Sequence, residues 1–298
     1  MAMTWFITGT SSGFGRELTE QLLRRGDTVA ATLRSPSRLD DLAAEHGDRL
    51  WVRQLDVTDA AAVRRVVDTA FAELGRIDVV ISNAGIGIFG AAEEMSDEQI
   101  EQQINTNVVG AVQLARAVTP HFREQGGGRI LQISSMGGQV AYPGLSIYHL
   151  SKWGIEGFFE AYAAEVAPFG IHTTLVEPGM AATSFYGGGL PLQTKHLAAY
   201  EGTEMTQWLR GTAVDAGDMR GDPRKMVAAM IEAAEAAEPP RRLLLGSDAY
   251  ALVTEALAQR RADFEANRAV SVSTDRDDWV DAQVIADADA DANVRIDS

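Results

Sequence analysis

Short apolar runs alternate with longer amphipathic runs along most of the chain. The short runs are rich in β-branched residues, as in strands that are buried on both faces of a parallel sheet. The longer runs repeat their apolar positions at helical spacing. This alternation predicts an α/β fold, with helices on both faces of one doubly wound parallel sheet of about seven strands. The predicted strands are Thr4–Thr8, Thr28–Leu33, Leu50–Leu55, Val79–Ser82, Arg129–Ser134, His172–Glu177 and Arg242–Leu245.

Local signals mark where several predicted helices begin and end. Ser96 followed by Gln99 makes a capping box, and Asp222 followed by Pro223 makes a cap and a first helical turn. Glycines follow the helical pattern at four points, where a left-handed residue commonly ends a helix. These are Gly26, Gly47, Gly75 and Gly170.

Two segments depart from the alternation. No strand is predicted at 183–221, and glycines cluster at 187–189, which indicates a mobile loop with short helices. The acidic segment 275–298 has low complexity, which is typical of disordered tails. We therefore expect one folded domain over 1–274, including the loop, followed by a tail.

Composition and charge narrow the possible functions. The 298 residues are 46% hydrophobic and 23% charged, as in globular proteins, and no apolar run is long enough to span a membrane. The formal net charge of −16 argues against a nucleic-acid partner. The chain has no cysteine, which excludes disulfides, thiolate catalysis and zinc-thiolate sites, and no metal site is predicted. The first residues do not form a signal peptide, so we expect a cytoplasmic protein without a membrane partner.

A glycine-rich turn joins the first predicted strand to the first predicted helix. Glycines at such a turn let the backbone approach a pyrophosphate, and the helix N-terminus offers unpaired N–H groups to the anion. The turn lacks the Gly-Lys-Ser/Thr ending of a triphosphate loop, which favours a dinucleotide over ATP. Such turns are also common outside nucleotide sites, so this one alone does not identify the ligand. The candidate residues are Gly9, Ser11, Ser12, Gly13, Phe14 and Gly15.

The end of the second strand bears on the choice of cofactor. An acidic residue there would bind the ribose 2′-hydroxyl of NAD, but this chain has Arg34 and Ser35 instead. Arg34, helped by Arg38 and Ser11, can pair with a 2′-phosphate, so the sequence predicts NADP(H) in preference to NAD(H). The alternative is a solvated arginine at a strand end.

Tyr148 and Lys152 are four residues apart in a predicted helix, so their side chains share one face. A neighbouring ammonium favours the phenolate and brings the tyrosine pKa toward the range of acid–base chemistry. The same spacing is also typical of ordinary helix surfaces. Ser135, at the ligand-binding edge after the fifth strand, and Asn107, inside another predicted helix, favour a catalytic site.

Together these residues resemble the short-chain dehydrogenase/reductase family in its shorter form, over about 3–246. The resemblance implies a single Rossmann-like domain and an oxidoreductase that moves a hydride between a nicotinamide and an alcohol or carbonyl. Phe14, Ser82 and Glu177 depart from the family pattern without removing a catalytic group. The landmarks are the glycine turn, Asp56 after the third strand, Asn83-Ala84-Gly85 after the fourth, Asn107, Ser135, Tyr148, Lys152, and Pro178-Gly179 with Thr183 after the sixth.

The resemblance also implies a role for each residue. Tyr148 is the general acid/base, and Ser135 binds the substrate oxygen. Lys152 lowers the tyrosine pKa and binds the nicotinamide ribose, while Asn107 holds a water that connects Lys152 to solvent. The cofactor contacts are Arg34 at the 2′-phosphate, Asp56 and Val57 at the adenine, Asn83, Ala84 and Gly85 in the groove, and Pro178, Gly179 and Thr183 at the nicotinamide end.

Apolar residues surround the predicted reaction centre, which indicates a fairly large apolar alcohol or carbonyl as the small-molecule substrate. The same residues could instead pack the long loop onto the core. They are 86–89, Met136, Val140, Tyr142, Leu145, Phe185, Tyr186, Leu190, Met205 and Trp208.

The helix that follows Tyr148 carries more apolar surface than one buried stripe needs, particularly over 153–166. Similar proteins bury the extra face against a second copy, so we expect a homodimer or homotetramer. Two other functions stay open: a catalytically silent NADP-binding sensor, and a sugar-nucleotide epimerase or dehydratase of the related extended group. The intact set of candidate catalytic residues disfavours the sensor, and the glycine spacing disfavours the epimerase.

Overall fold

A computed structural model describes residues 2–183, 185, 195, 197–211 and 219–276, without the side chains of 208–211. The chain divides into two compact units, 1–254 and 255–298. Parts of the predicted loop, and all but the first two residues of the predicted tail, lie outside the described residues.

The described chain forms one sheet of seven parallel strands in the order β3-β2-β1-β4-β5-β6-β7. The chain order reverses between β1 and β4, which opens a crevice at the carboxyl ends of these two strands. The predicted α/β fold is therefore confirmed, and the predicted strands match within one or two residues. The strands are β1 Thr4–Thr8, β2 Thr28–Leu33, β3 Leu50–Gln54, β4 Val79–Ser82, β5 Gly128–Ile133, β6 Ile171–Pro178 and β7 Arg242–Leu245.

Ten α-helices are found in the described part of the chain. Those that precede the long loop are α1 Gly13–Arg25, α2 Asp40–His46, α3 Ala60–Leu74, α4 Asp97–Ile104, α5 Gly110–Glu124 and α6 Ser146–Val166. The others are α7 Glu204–Gly211, α8 Pro223–Glu235, α9 Ser247–Ala266 and α10 Arg268–Ser273. None of the described helices is long and apolar enough to cross a bilayer.

The central strands of the sheet bury both of their faces, whereas β7 is only partly buried and β3 ends in exposed residues. Alternate residues of β1 point to opposite sides: Trp5 and Ile7 pack against apolar residues of α1 and α8, and Phe6 packs against those of α3, α5 and α6. Each face of the sheet therefore has its own apolar core. This two-sided burial explains why the strands are continuous apolar runs and not alternating ones.

Most of the predicted helix signals are confirmed, but Gly47 and Gly75 end α2 and α3 with a positive φ outside the left-handed helical region. The Ser96 and Gln99 side chains accept hydrogen bonds from each other's backbone N–H groups, at 3.3 and 2.9 Å. Asp222 caps α8 by accepting from the N–H of Arg224 at 2.9 Å. Gly26 and Gly170 have the left-handed conformation that ends a helical segment.

Candidate active site

The glycine turn after β1 is packed too closely for side chains. Gly9 has a φ of +73°, and a Cβ atom on it would lie 2.9 Å from Cα of Ala84. A Cβ atom on Gly15 would lie 2.3 Å from the carbonyl oxygen of Gly9 and 2.5 Å from Nδ2 of Asn83. These glycines are required by the close approach of three backbone segments at the switch point of the sheet.

Asn83 fastens the end of β4 to the end of β1. Its Nδ2 donates to the carbonyl oxygens of Thr8 at 2.8 Å and Gly9 at 3.1 Å. The backbone N–H groups of Asn83 and Ala84 donate to Oγ1 of Thr8, at 3.0 and 3.1 Å. The floor of the crevice is thus a network of fixed hydrogen bonds.

A cavity of about 460 Å³ runs along the carboxyl ends of the strands. Gly15 and Asn107 are the predicted site residues that do not line it. The structure brings the others together along this one cavity: Gly9, Ser11, Ser12, Gly13, Phe14, Arg34, Asp56, Val57, Asn83, Ala84, Gly85, Ser135, Tyr148, Lys152, Pro178, Gly179 and Thr183.

Arg34 is exposed where β2 reaches the cavity, and the Gln54 amide holds its backbone by donating to the Arg34 carbonyl at 3.1 Å. Ser11 lines the same cavity, whereas Arg38, the other predicted helper, does not. Asp56 lies after β3, and its Oδ1 accepts from the N–H and hydroxyl of Thr58 at 3.0 and 2.7 Å. The carboxylate is therefore already engaged within its own turn.

Tyr148 and Lys152 lie on α6, with 6% and 7% of their surface exposed. The Lys152 Nζ lies 5.7 Å from the centre of the Tyr148 ring and donates to the carbonyl oxygen of Ile133 at 3.1 Å. The predicted pairing on one helix face is therefore present. Among the described residues, however, the hydrogen bond of the ammonium goes to the end of β5 and not to the phenol.

Burial controls the ionisation of both groups. It raises the pKa of Tyr148 to about 12, and the Ser135 hydroxyl acts in the opposite direction. It lowers the pKa of Lys152 to about 8, against the effect of the Glu156 carboxylate. The sequence predicted a lowered tyrosine pKa. The structure differs because the loss of water around the phenol outweighs the hydrogen bond of the Ser135 hydroxyl, while the Lys152 ammonium lies over the ring.

Ser135 begins the turn Met136–Gly138 directly after β5. Its Oγ accepts from the N–H of Gly137 at 3.0 Å, which fixes the hydroxyl beside Tyr148 at the edge of the cavity. The hydroxyl proton remains available to an oxygen atom placed between the two side chains. This arrangement can align and protonate a carbonyl oxygen.

Asn107 lies in a single π-helical turn, Asn105–Val109, between α4 and α5. Its amide accepts from the N–H of Ile86 and donates to the Ile86 carbonyl, both at 2.8 Å, and donates to Oγ of Ser151 at 3.0 Å. Ser151 in turn donates to the carbonyl of Tyr148 at 2.7 Å. Asn107 thus connects the chain after β4 to the helix that carries the tyrosine, and its Nδ2 group donates both of its hydrogen bonds to protein groups.

An apolar cluster covers the phenol of Tyr148. The rings of Phe89 and Phe185 lie with their centres 5.9 and 6.1 Å from that of Tyr148. Leu145, Tyr142 and Met205 complete the cluster. Of the predicted apolar wall, Tyr186, Leu190 and the side chain of Trp208 lie outside the described residues.

His149 has a structural role that the sequence did not reveal. Its Nδ1 lies 2.7 Å from the carbonyl oxygen of Gly137, and its Nε2 accepts from the N–H of Tyr142 at 2.9 Å. The ring therefore joins Gly137 and Tyr142 within the segment between Ser135 and Tyr148. Burial lowers the pKa of His149. Gln102 and Thr106 also line the cavity. Their four-residue spacing resembles any helix face, so no sequence signal identified them.

Comparisons with known proteins cover both the glycine turn and the Tyr148 helix. A family model described as short chain dehydrogenase matches residues 4–188. The oxidoreductase BOA17 of Botryotinia fuckeliana is 36% identical over 275 residues, which are 92% of this chain and 100% of the relative. The 3-ketodihydrosphingosine reductase of Bacteroides thetaiotaomicron is 36% identical over 242 residues, which are 80% of this chain and 86% of the relative.

Two solved structures share the fold. A short-chain dehydrogenase from Streptomyces avermitilis has a TM-score of 0.85 and 38% identity, over 93% of this chain and 100% of that one. The closed form of a serine dehydrogenase complexed with NADP+ has a TM-score of 0.71 and 27% identity, over 82% of this chain and 94% of that one. The similarity therefore extends over most of the sheet and its helices.

Proposed function

The chain belongs to the short-chain dehydrogenase family and is an oxidoreductase, and from this premise we propose that it reduces a fairly large apolar carbonyl compound, or oxidises the corresponding alcohol, with NADP(H). The observation that carries the proposal is that Ser135, Tyr148 and Lys152 meet in one cavity with the glycine turn. A nucleotide site and a proton-transfer site thus share a continuous space.

The residues present fit a dinucleotide. Gly9 and Gly15 leave a cradle that a Cβ atom would fill, and α1 begins at Gly13, so its N-terminus faces the cavity. Asp56 and Val57 would contact the adenine, and the residues after β4 and β6 would hold the remainder of the molecule. When bound, the nicotinamide would supply or accept the hydride.

Arg34 and Ser11 support a preference for NADP(H). Both line the cavity where β2 ends, and the guanidinium can form charge-assisted hydrogen bonds to a 2′-phosphate. No carboxylate follows β2 to bind the 2′-hydroxyl of NAD. A related serine dehydrogenase was solved with NADP+, which is consistent with this choice.

Tyr148 performs the proton transfer in this proposal. In reduction, its O–H donates a proton to the carbonyl oxygen while the Ser135 hydroxyl donates a hydrogen bond to the same atom. The charge of Lys152 stabilises the phenolate that remains. A phenol whose pKa is about 12 is protonated at neutral pH, which is the form that reduction requires. Oxidation requires the phenolate and is favoured at higher pH.

The apolar surroundings of Tyr148 support an apolar substrate. Phe185 lines the cavity, and Phe89 and Leu145 pack in the same apolar cluster as Tyr148. A related protein is named 3-ketodihydrosphingosine reductase, which is consistent with a carbonyl substrate. We therefore place the substrate of this chain among apolar ketones, aldehydes or secondary alcohols.

A substrate panel tests the proposal. Apolar and polar carbonyl compounds of matched size are incubated with NADPH or NADH, and cofactor oxidation is followed by absorbance. We expect the highest kcat/KM with apolar carbonyls and NADPH. Equal rates with both cofactors would overturn the assignment of Arg34, and faster turnover of the polar compounds would overturn the substrate class.

We also propose that α6 lies at an interface between copies of the chain. Most of its predicted apolar surface is buried within one copy, including Ile155 and Phe159. Leu150 and Trp153 remain 56% and 40% exposed on the same helix. Exposed apolar side chains on one helix face are consistent with self-association into a dimer or tetramer.

A further inference from the structure

A second group of charged side chains is buried next to the Tyr148–Lys152 pair. Glu156 lies one turn after Lys152 on α6 and is 4% exposed. Glu177, near the end of β6, is 2% exposed. Arg242, the first residue of β7, lies between these two carboxylates. Neither the proposed hydride transfer nor the cofactor site uses this group.

The contacts within the group are specific. The Arg242 Nη1 donates to Oε2 of Glu156 and to Oε1 of Glu177. Gln139 Nε2 donates to the same two oxygens, at 3.1 and 3.4 Å. A Cβ atom on Gly138 would lie 2.7 Å from Cγ of Glu156, so the turn that begins at Ser135 packs directly on this carboxylate. The group therefore joins α6, β6, β7 and the Ser135 turn.

Negative charge exceeds positive charge in the group. Arg242 faces Glu156, Glu177 and, through Nη2, the exposed Glu160. Oε1 of Glu156 is buried and accepts no hydrogen bond from the described residues. Burial and the nearby Glu156 raise the pKa of Glu177 to about 7, so this carboxyl holds a proton part of the time at neutral pH. Arg242 is the cation that the two buried carboxyl groups share.

Apart from Arg242 on β7, the cation to consider beside Glu156 is Lys152, which lies four residues earlier on α6. A spacing of four residues puts the two side chains on the same helix face, and both are buried, so solvent screens their attraction little. Among the described residues, the other titratable or charged groups around the pair are Tyr148, Glu177, Arg242 and Glu160. Burial lowers the pKa of Lys152, and Glu156 opposes that effect.

We propose that Glu156 is a positioning residue that keeps Lys152 charged, and that Arg242 and Gln139 hold the Glu156 carboxylate in the position from which it acts. The importance of this charge for turnover rests on the proposed function, in which Lys152 stabilises the phenolate. Without Glu156, Lys152 would lose its proton closer to neutral pH, and the phenolate would lose its stabilising cation.

The chain allows a direct measurement because it has only three lysines, Lys152, Lys195 and Lys225. The full-length protein is labelled with lysine carrying ¹³C at Cε, and the Cε resonances are titrated by NMR. A Lys152→Met variant identifies the Lys152 signal. In Glu156→Gln we expect the pKa of Lys152 to fall by about one pH unit, as is usual for loss of a nearby opposite charge.

Glu160→Gln is the matched control, since Glu160 also pairs with Arg242 but is exposed and lies two turns from Lys152. We expect it to leave the Lys152 titration unchanged. An unchanged titration in Glu156→Gln, or an equal fall in Glu160→Gln, would overturn the proposal and leave Glu156 with a structural role only.

A second comparison covers the case in which Glu156→Gln does not fold. Removing Arg242 together with Glu156 leaves less unpaired buried charge than removing one partner. The titration of Lys152 in Glu156→Gln/Arg242→Gln is then compared with the titration in the original protein. The double variant must have the lower Lys152 pKa, and equal values would contradict the proposal.

Turnover separates this inference from the proposed function. If both are right, the alkaline limb of the pH profile of kcat/KM moves in Glu156→Gln by the same amount as the Lys152 titration. A shifted titration with an unmoved limb would support the role of Glu156 and overturn the role of Lys152 in the reaction.

Discussion

Tyr148 and Lys152 are both buried, and burial moves their pKa values in opposite directions, to about 12 and about 8. In each case the loss of water favours the neutral form. The phenol therefore keeps its proton at neutral pH while most of the lysine population is still charged. These ionisation states are the ones that the proposed proton transfer from Tyr148 requires.

The proposed preference for NADP(H) also rests on a single residue, Arg34. Arg34→Ala removes the guanidinium that would pair with a 2′-phosphate. Charge-assisted hydrogen bonds contribute about 1.5–3 kcal/mol, so the KM for NADPH should rise roughly 10- to 100-fold. The KM for NADH should change little, because NADH has no 2′-phosphate.

The measurement is a steady-state titration of both cofactors at a saturating concentration of the best carbonyl substrate. Arg38→Ala is the control, since Arg38 is also exposed but does not line the cavity. A parallel rise for NADPH and NADH in Arg34→Ala would contradict a 2′-phosphate contact.

At the scale of the elements, the site depends on strand ends that are fastened to one another. Asn83 joins β4 to β1, and Asn107 joins the chain after β4 to α6. Arg242 joins β7 to β6 and α6 through buried carboxylates. These bonds fix the position of α6 relative to the crevice at the carboxyl ends of the strands.

Glu177 makes the stability of the folded protein depend on pH. The pKa of its carboxyl is raised from 4.5 to about 7 in the folded protein, so the folded state binds more protons than the unfolded state between these values. Stability from this group is complete below pH 4.5 and is lost as the pH rises to about 7. Replacing Glu177 by Gln removes this loss.

We therefore expect the free energy of unfolding of Glu177→Gln, relative to the original protein, to increase between pH 5 and pH 7 by on the order of 1–3 kcal/mol. Urea unfolding at a series of pH values measures it. The buried His149 has the opposite dependence, since its pKa is lowered, but it is present in both proteins and cancels. Glu160→Gln is the control, because Glu160 is exposed and the difference in its free energy of unfolding from the original protein should not vary with pH. A difference for Glu177→Gln that does not vary with pH either would refute the prediction.

The sequence predicted the elements well because most of the strands, the central ones above all, are buried on both faces, and such apolar runs are easily recognised. The sequence also identified cavity-lining residues that lie within two residues of a strand end, such as Asn83 and Ser135. It could not predict bonds between distant segments, such as Glu177 with Arg242, since neither residue has a local signal. The direction of the Tyr148 pKa shift was missed for the same reason: it depends on how Phe89 and Phe185 exclude water.

At the scale of the whole molecule, the chain is strongly acidic, with a formal net charge of −16. Self-association must therefore overcome repulsion between copies, which salt reduces. The exposed apolar residues on α6 are the part of the described surface that we expect to supply the attraction, through the burial of apolar area.

Leu150→Glu tests this expectation. A charge at this 56% exposed position should weaken the self-association measured by sedimentation velocity at micromolar concentration, by at least about tenfold for a loss of 1.4 kcal/mol. Leu257→Glu is the control, because Leu257 is 46% exposed on a different helix, α9. A monomeric original protein, or an equal effect of Leu257→Glu, would contradict an interface on α6.

The proposed reaction depends most on the proton of Tyr148, and Tyr148→Phe tests that dependence directly. The variant keeps the ring that packs between Phe89 and Phe185 and removes only the hydroxyl. With the best carbonyl substrate and NADPH, kcat/KM should fall by about 10²- to 10⁴-fold, while NADPH binding, followed by fluorescence, is retained. Full turnover by Tyr148→Phe with NADPH binding intact would contradict the proposed mechanism.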